Sequence, residues 1–406
     1  MATGPIRDQR GLGKQNRRAV LEALVLRGPL SRKEIADRLG LTSATISRIV
    51  RPLLDCGLLQ ELEDLDQTNS VSRMGRPSIP LDLMPKGGYV LGIDLSLSFQ
   101  SVVLADLKNH AVSTIGLSFD ERDAPDTVID EVTHACRRLI DEFVEERRRL
   151  FGGFVAVAGA VNQHGNVTRS RYLGWRDVPL ASTLSDNLSL PIKVETATTS
   201  LALAETRFGA ATGQDDALIA LCGIRLAIGM SVNGQVIRGR RYQAGLVGSV
   251  PLIAEDGSVT TADRCASGLG VLLRIHGDAD NVLDASIGRQ VAMLSNIIMR
   301  DRDGDPAVAP ALAETGRTVG RVVAYCAFLT APESLVIGGI LATAPSFLAA
   351  AMDTATSTMG EDRSVGIHPS AFLRPDGYES VSASLAICEY LFDRSIDMAA
   401  LGASEV

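Results

Sequence analysis

A short segment near the N-terminus carries side chains suited to contact with a nucleic acid. Between Thr42 and Arg51 the chain presents small and hydroxylated residues together with two arginines. Small residues let a helix approach base edges, hydroxyls bond to phosphates and bases, and arginine binds guanine or phosphate. Arginines on a neighbouring loop can enter the narrow minor groove. The residues predicted to contact DNA are Arg32, Thr42, Ser43, Ala44, Thr45, Ser47, Arg48, Arg51, Arg73 and Arg76.

Three closely spaced helices must position these side chains. Apolar residues from Val20 to Val25 recur at helical spacing, and Gly28-Pro29 ends that helix. Ser31, with Glu34 three residues later, predicts a capping box at the start of a second helix. Thr42 is the expected cap of the third helix. The apolar stripe of this third helix is Ile46, Ile49, Val50, Leu53 and Leu54.

A β-hairpin completes the module. Residues 58–62 and 78–83 are predicted strands, and the polar stretch between them ends in Arg73 and Arg76. We therefore predict a winged helix-turn-helix over residues 14–84, preceded by a flexible basic arm over residues 1–13. A helical bundle used only for protein contact is the alternative, but the small-residue helix face and the arginine-tipped wing favour DNA binding.

The charge of the chain is unevenly distributed. Its net charge is −8, yet the segment from Arg7 to Arg51 contains eleven Lys or Arg and four Asp or Glu, which gives it a local net charge of +7. A basic head on an acidic body indicates that the head binds a polyanion. Charge alone does not exclude the alternative that this basic surface only contacts solvent.

Composition predicts a cytoplasmic protein. The six cysteines are scattered singly, without a CxxC pair or a disulfide framework. The N-terminus is polar and basic, which excludes a signal peptide, and no apolar run is long enough to cross a bilayer.

From Tyr89 onward strands alternate with helices. Residues 89–94 form a predicted strand that ends in Asp94, a helix is expected over residues 125–149, and the strand 192–195 leads into a helix that ends at Phe208. This alternation predicts an α/β body with mixed sheets and two lobes.

Sequence motifs in this order resemble the ROK family (repressors, open reading frames, kinases), and specifically its winged-helix regulators. The motifs are LGIDL, VVLADLKN, LGWRDVPL, VETATTSLALAE, SVNGQVIRGRRYQAGLVGS and LVIGGILA. The resemblance implies an N-terminal winged helix-turn-helix plus a two-lobed actin-like ATPase (sugar-kinase-like) body, an α+β and α/β combination. The expected boundaries are residues 85–205 for lobe 1, 206–380 for lobe 2, and 381–406 for a C-terminal helix that packs back on lobe 1. A homo-oligomer and a sugar or sugar-phosphate effector are also implied.

Residues that family kinases need are replaced. Their general base is an Asp in an Asn-Asp pair, and the matching segment here is Glu195-Thr196-Ala197, where alanine cannot take a proton. The glycine-rich phosphate loops match residues 94–98 (DLSLS) and 223–227 (GIRLA), where side chains occupy the space of phosphates. We therefore expect no kinase activity and no cofactor.

The family zinc site is also missing. It uses one His and three Cys, whereas residues 245–249 read GLVGS and residues 258–265 retain only Cys265. Zinc needs about four N or S ligands, so no metal is expected.

The cleft keeps part of a sugar site. Leu246 replaces a sugar-binding Glu of the family, whereas Asp263 lies where the family places another. Trp175, the only tryptophan, is a candidate for stacking on a sugar ring, and packing at a lobe junction is the favoured alternative. The residues predicted to bind an effector are Tyr172, Trp175, Asp177, Glu195, Thr196, Ser249 and Asp263.

Three functions remain possible from the sequence. The leading hypothesis is a sequence-specific regulator, with repression the expected sign, that binds an inverted-repeat DNA operator as a homodimer or tetramer and responds to a sugar-derived effector. An active sugar kinase is the second, but it would need a base other than Ala197. The third is a DNA-binding protein whose body is only a ligand-free scaffold.

Overall fold

The computed structural model describes most of the chain. Within the described residues, no helix is both long and apolar enough to span a bilayer. The described residues are 9–62, 79–96, 100–119, 123–240, 242–253, 257–277, 280–360, 365–374, 377–378, 380–392 and 401–402.

The head begins with a helix that is longer than expected. Because this helix starts at Gln9, residues 9–13 are helical, and the prediction of a flexible arm is wrong for them. Gln9, Arg10 and Leu12 are good helix formers, and the helix continues through Gly11 and Gly13 even though glycine disfavours it. The elements of the head are α1 (Gln9–Arg27), β1 (Leu30–Ser31), α2 (Arg32–Leu39), α3 (Ser43–Asp55), β2 (Leu59–Glu61) and β3 (Pro80–Leu83).

Local capping signals fix the helix-turn-helix. Both hydrogen bonds of the predicted capping box between Ser31 and Glu34 are present, so that prediction is confirmed. Gly40 follows α2 with φ +62°, a conformation that favours glycine. The hairpin strand β3 lies between β2 and β1, and all pairs are antiparallel. The short strand β1 was not predicted from the sequence.

Lobe 1 contains a mixed five-stranded sheet and a small three-stranded sheet. The helix expected over residues 125–149 ends at Phe143, because Val144 is extended and a separate 3-10 turn covers Arg147–Arg149. The elements are β4 (Tyr89–Leu95), β5 (Gln100–Asp106), β6 (Ala111–Gly116), α4 (Pro125–Phe143), β7 (Leu150–Val157), β8 (Ala160–Val161), β9 (Val167–Arg169), β10 (Arg176–Val178), α5 (Leu180–Leu188), β11 (Ile192–Thr196) and α6 (Ala197–Phe208).

Lobe 2 contains a second mixed five-stranded sheet, and the longest helix of the described residues, of 22 residues, belongs to this lobe. Its first strands and helices are β12 (Ala217–Cys222), β13 (Leu226–Val232), β14 (Gln235–Val236), β15 (Pro251–Ile253), β16 (Val259–Thr261), α7 (Ala262–Cys265), α8 (Gly268–His276), α9 (Asp280–Leu283) and α10 (Ile287–Arg302). The remaining elements of the chain are α11 (Ala309–Thr330), β17 (Ser334–Gly338), α12 (Pro345–Met359), β18 (Gly366–Pro369), β19 (Leu373–Arg374), β20 (Gly377–Tyr378) and α13 (Val381–Leu391).

The two large sheets share one topology. Their strand orders are β11-β7-β4-β5-β6 and β14-β13-β12-β17-β18. In each sheet the first three strands along the chain form an antiparallel meander, and two parallel strands are added beyond the first. The C-terminal helix α13 packs on β4 and β7 of lobe 1. Its contact with β4 is close, because a Cβ on Gly92 would lie 2.5 Å from the Ala383 nitrogen.

Candidate DNA-binding surface and interlobe cleft

Helix α3 is oriented by its buried stripe. Ile46, Val50 and Leu53 are fully buried in the core of the head, so the opposite side of the helix faces solvent. At its start Thr42 accepts a hydrogen bond from the Thr45 backbone nitrogen at 3.2 Å. The Thr42 and Thr45 hydroxyl oxygens also lie 2.9 Å apart. Because Thr42 is the cap, as predicted, the first turn of α3 has a fixed geometry at the surface.

The exposed side of α3 carries the predicted contact residues. Arg48 is exposed and makes no hydrogen bond or ion pair with any described residue. Arg51 lies 3.9 Å from Asp55, and because both side chains are largely exposed this pair contributes little. Thr45 is half-buried. The other exposed residues of this set are Thr42, Ser43, Ala44 and Ser47.

The remaining predicted DNA contacts lie elsewhere. Arg32, at the start of α2, is held by an ion pair of 2.6 Å with Glu61 of β2. Arg73 and Arg76 of the wing lie outside the described residues. The described surface therefore consists of the first turns of α3, with Arg32 beside them in an existing ion pair.

The head is joined to lobe 1 by a buried ion pair. The Lys108 Nζ, in the turn between β5 and β6, lies 2.6 Å from the Asp82 Oδ2 on β3. Asp82 is only 2% exposed. The Arg149 guanidinium, which donates to the Gly87 carbonyl oxygen at 3.0 Å, would lie 3.6 Å from a Cβ on Gly57 of the head. Because the Asp82 carboxylate is buried and Lys108 only partly exposed, the wing strand is tied to lobe 1.

A cleft of about 1060 Å³ lies between the two lobes. Its floor on the lobe 1 side includes Asp94, at the end of β4. The Asp94 Oδ2 accepts hydrogen bonds from Ser382 at 2.8 Å and Ser380 at 3.2 Å, both at the start of α13. Burial raises the pKa of Asp94 to about 6, and the two hydroxyl bonds oppose that rise.

No carboxylate occupies the position expected for a kinase base. Ala197 begins α6 and lines the cleft, and Thr196 before it caps that helix by accepting from the Thr199 nitrogen at 3.0 Å. Glu195 is buried and ion-paired with Arg238 at 2.8 Å, so it contributes to the cleft only by holding this arginine.

A second arginine replaces a phosphate-loop residue on the lobe 2 side. Arg225, in the turn between β12 and β13, lies 3.5 Å from Asp263, and Asp263 also accepts from the Leu226 nitrogen at 3.1 Å. Burial raises the pKa of Asp263, and Arg225 opposes this. Burial likewise raises the pKa of Tyr172, against the nearby positive charges of Arg225 and Arg171. These groups from both lobes therefore surround one region of the cleft.

Four of the seven predicted effector contacts line the cleft: Tyr172, Thr196, Ser249 and Asp263. Trp175 does not, because it is 1% exposed, so its proposed stacking on a ligand is wrong; it is a packing residue, but it lies in the core of lobe 1 and not at the expected lobe junction. Asp177 does not line it either, because it is exposed on β10 with φ +50°. Both residues follow Tyr172 closely in sequence, but the chain turns away from the cleft at Leu173.

The arginines of the cleft were not predicted as ligand contacts from the sequence. Arg169, Arg171, Arg225 and Arg238 all line it. The clustered arginines in residues 169–171 and 238–241 were a usable signal. Their convergence depends on how lobe 1 meets lobe 2, which local spacing does not encode.

The described residues contain no group of three or more His, Cys, Asp or Glu that could hold a metal ion. Cys265, the one family-type ligand, donates its thiol to the Thr261 carbonyl oxygen at 3.3 Å. Leu246, at the position of the family Glu, is 57% exposed at the cleft.

Family profiles match both parts of the chain. The profile of the ROK family matches residues 98–366. A winged helix-turn-helix DNA-binding profile matches residues 14–60.

Similar proteins of known name are regulators. A transcriptional regulator of Mycobacterium tuberculosis is 28% identical over 332 residues, which cover 79% of this chain and 73% of that protein. The DNA-binding transcriptional dual regulator NagC of Escherichia coli is 24% identical over 355 residues, 84% of each chain.

Solved structures show the same fold. A ROK family transcriptional regulator, a homologue of the Escherichia coli MLC protein, superposes with a TM-score of 0.68 at 20% identity, covering 97% of this chain and 100% of that one. A ROK family glucokinase from Streptomyces griseus gives 0.59 at 22% identity, covering 74% of this chain and 99% of that one. The body thus has the two-lobed fold of a sugar kinase, and the head is an additional module.

Proposed function

Because the chain belongs to the ROK family and carries a winged helix-turn-helix, we propose that it is a sequence-specific DNA-binding transcriptional regulator. Repression is the expected sign, because proteins named xylose repressor and N-acetylglucosamine repressor are among its relatives. The observation that carries the proposal is the first part of α3. There a fixed helix cap presents Ser43, Ala44 and Ser47 to solvent, together with Arg48, which has no partner among the described residues. This surface fits a DNA groove better than a protein partner, because it has no exposed apolar centre.

The body is proposed to sense a ligand rather than to catalyse phosphoryl transfer. Phosphoryl transfer needs a base on the acceptor hydroxyl and room for phosphates beside backbone N–H groups. Ala197 supplies no base, and the Arg225 side chain lies in the loop where the family has glycine. A cleft of this volume nevertheless suits a small-molecule effector. Sugar-dependent ATP consumption above background by the purified chain would restore the kinase hypothesis.

One short turn offers a route from the cleft to the head. Asn109 and His110 line the cleft, and the adjacent Lys108 is ion-paired with Asp82 on the wing strand β3. The Asn109 side chain also donates to Ser384 of α13 at 2.9 Å. A ligand that moved this turn would move the wing strand with it, so operator affinity and ligand affinity would be coupled.

We propose a cytoplasmic homo-oligomer as the working form. Two copies related by a twofold axis would present two copies of α3 to an inverted-repeat operator. A dimer is the simplest assembly that meets this requirement, and a tetramer would be a pair of such dimers.

The test is an equilibrium titration of DNA from the region upstream of the chain's own gene, followed by fluorescence anisotropy, with an unrelated fragment as reference. Arg48→Ala is expected to weaken binding by about ten- to a hundredfold, because one arginine contact to a base or phosphate is worth about 1–3 kcal/mol. Arg176→Ala is the matched control, because Arg176 is exposed on β10 of the body. Unchanged affinity of Arg48→Ala would contradict the assignment of α3 as the DNA-contacting helix.

A further inference from the structure

The cleft is positively charged although the body that surrounds it is acidic. Four arginines line it against two aspartates, Asp94 and Asp263. Outside residues 7–51 the chain carries a net charge of −15. A positive cleft in an acidic body does not follow from overall composition, and field lines focused by its walls would concentrate anions there.

The arginines differ in how fully their donors are used. Arg238 has both an Nε and an Nη contact to Glu195, so its charge is balanced. Arg225 makes one long contact of 3.5 Å to Asp263, and its buried Nε has no hydrogen-bond partner among the described residues. Arg171 is exposed and has no hydrogen bond or ion pair to any described residue. A guanidinium has five N–H donors, so Arg171 and Arg225 retain donors for a ligand.

These two arginines lie on opposite walls of the cleft. Arg171 follows β9 of lobe 1, and Arg225 lies in the β12–β13 turn of lobe 2. Both line the same cleft, and both place a positive charge near Tyr172, which lines it as well. Guanidinium groups bind the planar oxygens of carboxylates and phosphates through paired hydrogen bonds.

We propose that the effector is an anion whose carboxylate or phosphate group bridges Arg171 of lobe 1 and Arg225 of lobe 2, beside Tyr172. This assignment rests on the proposed function and specifies the chemical class of its effector. An anion held by both walls attracts both guanidinium groups, so it binds an arrangement in which the two walls are close together more tightly than one in which they are apart. That difference is what a ligand needs in order to shift a conformational equilibrium.

The experiment measures thermal unfolding of the full chain in inorganic phosphate, in acetate and in chloride, at equal ionic strength and pH. Wild type is expected to melt about 2 °C higher in the bound anion than in chloride. Stabilisation by phosphate alone would identify a phosphate ester, and stabilisation by acetate alone a carboxylic acid.

Two variants and a control separate binding from general salt effects. Phosphate also stabilises proteins by exclusion from their surface, and this effect is shared by every variant. We expect Arg171→Gln and Arg225→Gln to show a smaller anion-dependent increment than wild type, and Arg176→Gln, altered at an exposed arginine outside the cleft, to show the wild-type increment. An increment in wild type no larger than that of either cleft variant would overturn the proposal.

The outcome is independent of the DNA assay. A chain that binds DNA but shows no anion increment would refute only the effector class. A chain with the increment but without specific DNA binding would refute only the proposed function.

Discussion

At the scale of single residues, a few replacements distinguish this cleft from the site of the family's kinases. Ala197 removes the proton acceptor, and Arg225 brings a positive side chain where the family has a glycine. Asp94 remains, but its carboxylate accepts hydrogen bonds from Ser380 and Ser382 and thereby connects β4 to the start of α13. The cleft retains ionisable groups. Asp94, Asp263 and Arg238 are bound to other side chains, whereas Arg171 is exposed to solvent.

Asp94 gives the stability of the fold a pH dependence that can be measured. Its pKa is raised from 3.8 to about 6, so the folded state holds this proton more tightly than the unfolded state. The resulting stabilisation is fully present below about pH 4 and is lost as pH rises through about 6. Asp94→Asn cannot ionise, so relative to wild type it should gain on the order of 2 kcal/mol between pH 4.5 and pH 7.5.

Denaturant unfolding at the two pH values measures this difference. Asp37→Asn, which alters an exposed carboxyl of α2, is the control. Its free energy of unfolding should differ from that of wild type by the same amount at both pH values. A gain for Asp94→Asn no larger than that of the control would mean that the pKa of Asp94 is not raised in the folded state.

At the scale of elements, the β5–β6 turn joins three parts of the molecule. Lys108 contacts the head, Asn109 contacts α13, and His110 lines the cleft. Asp106 fixes the turn by accepting from the Lys108 nitrogen at 2.8 Å and the His110 nitrogen at 2.9 Å. A turn held in this way moves as a unit, which is why it is the favoured link between cleft and wing.

The ion pair between Asp82 and Lys108 should contribute a measurable interaction energy to the free energy of unfolding. A double-mutant cycle with Asp82→Asn and Lys108→Met is expected to give a coupling energy of about 2 kcal/mol, because the Asp82 carboxylate is buried and the partner amine only partly exposed. The exposed pair Arg51 and Asp55, at 3.9 Å, is the control and should give below about 0.5 kcal/mol. Equal coupling energies for the two pairs would remove this turn from the proposed route.

Short-range signals explain what the sequence could predict. Ser31, Glu34, Gly40 and Thr42 act within one or two helical turns, so their cap and turn roles are readable from spacing alone. The Asp82–Lys108 pair spans 26 residues, and it forms only when the head packs on lobe 1. Trp175 shows that closeness in sequence can also mislead. It is three positions from the cleft residue Tyr172, yet it lies in the core of its lobe.

At the scale of the whole molecule, a basic head sits on a body built from two sheets of equal topology. The ROK profile and the winged helix-turn-helix profile match these two parts separately. The head packs on lobe 1 through a shared apolar core that includes Leu24, Leu83 and Leu391. The placement of the head is therefore set by its packing against the body.

The central claim is that this chain binds a specific DNA sequence through α3. The most direct measurement is repeated selection of genomic fragments by the full chain at about physiological salt, where nonspecific binding is weak. We expect enrichment of an inverted repeat whose half-sites lie about 10 bp or a multiple of it apart, and loss of this enrichment in Arg48→Ala. Failure to enrich any common sequence, or the same enrichment with Arg48→Ala, would contradict the account.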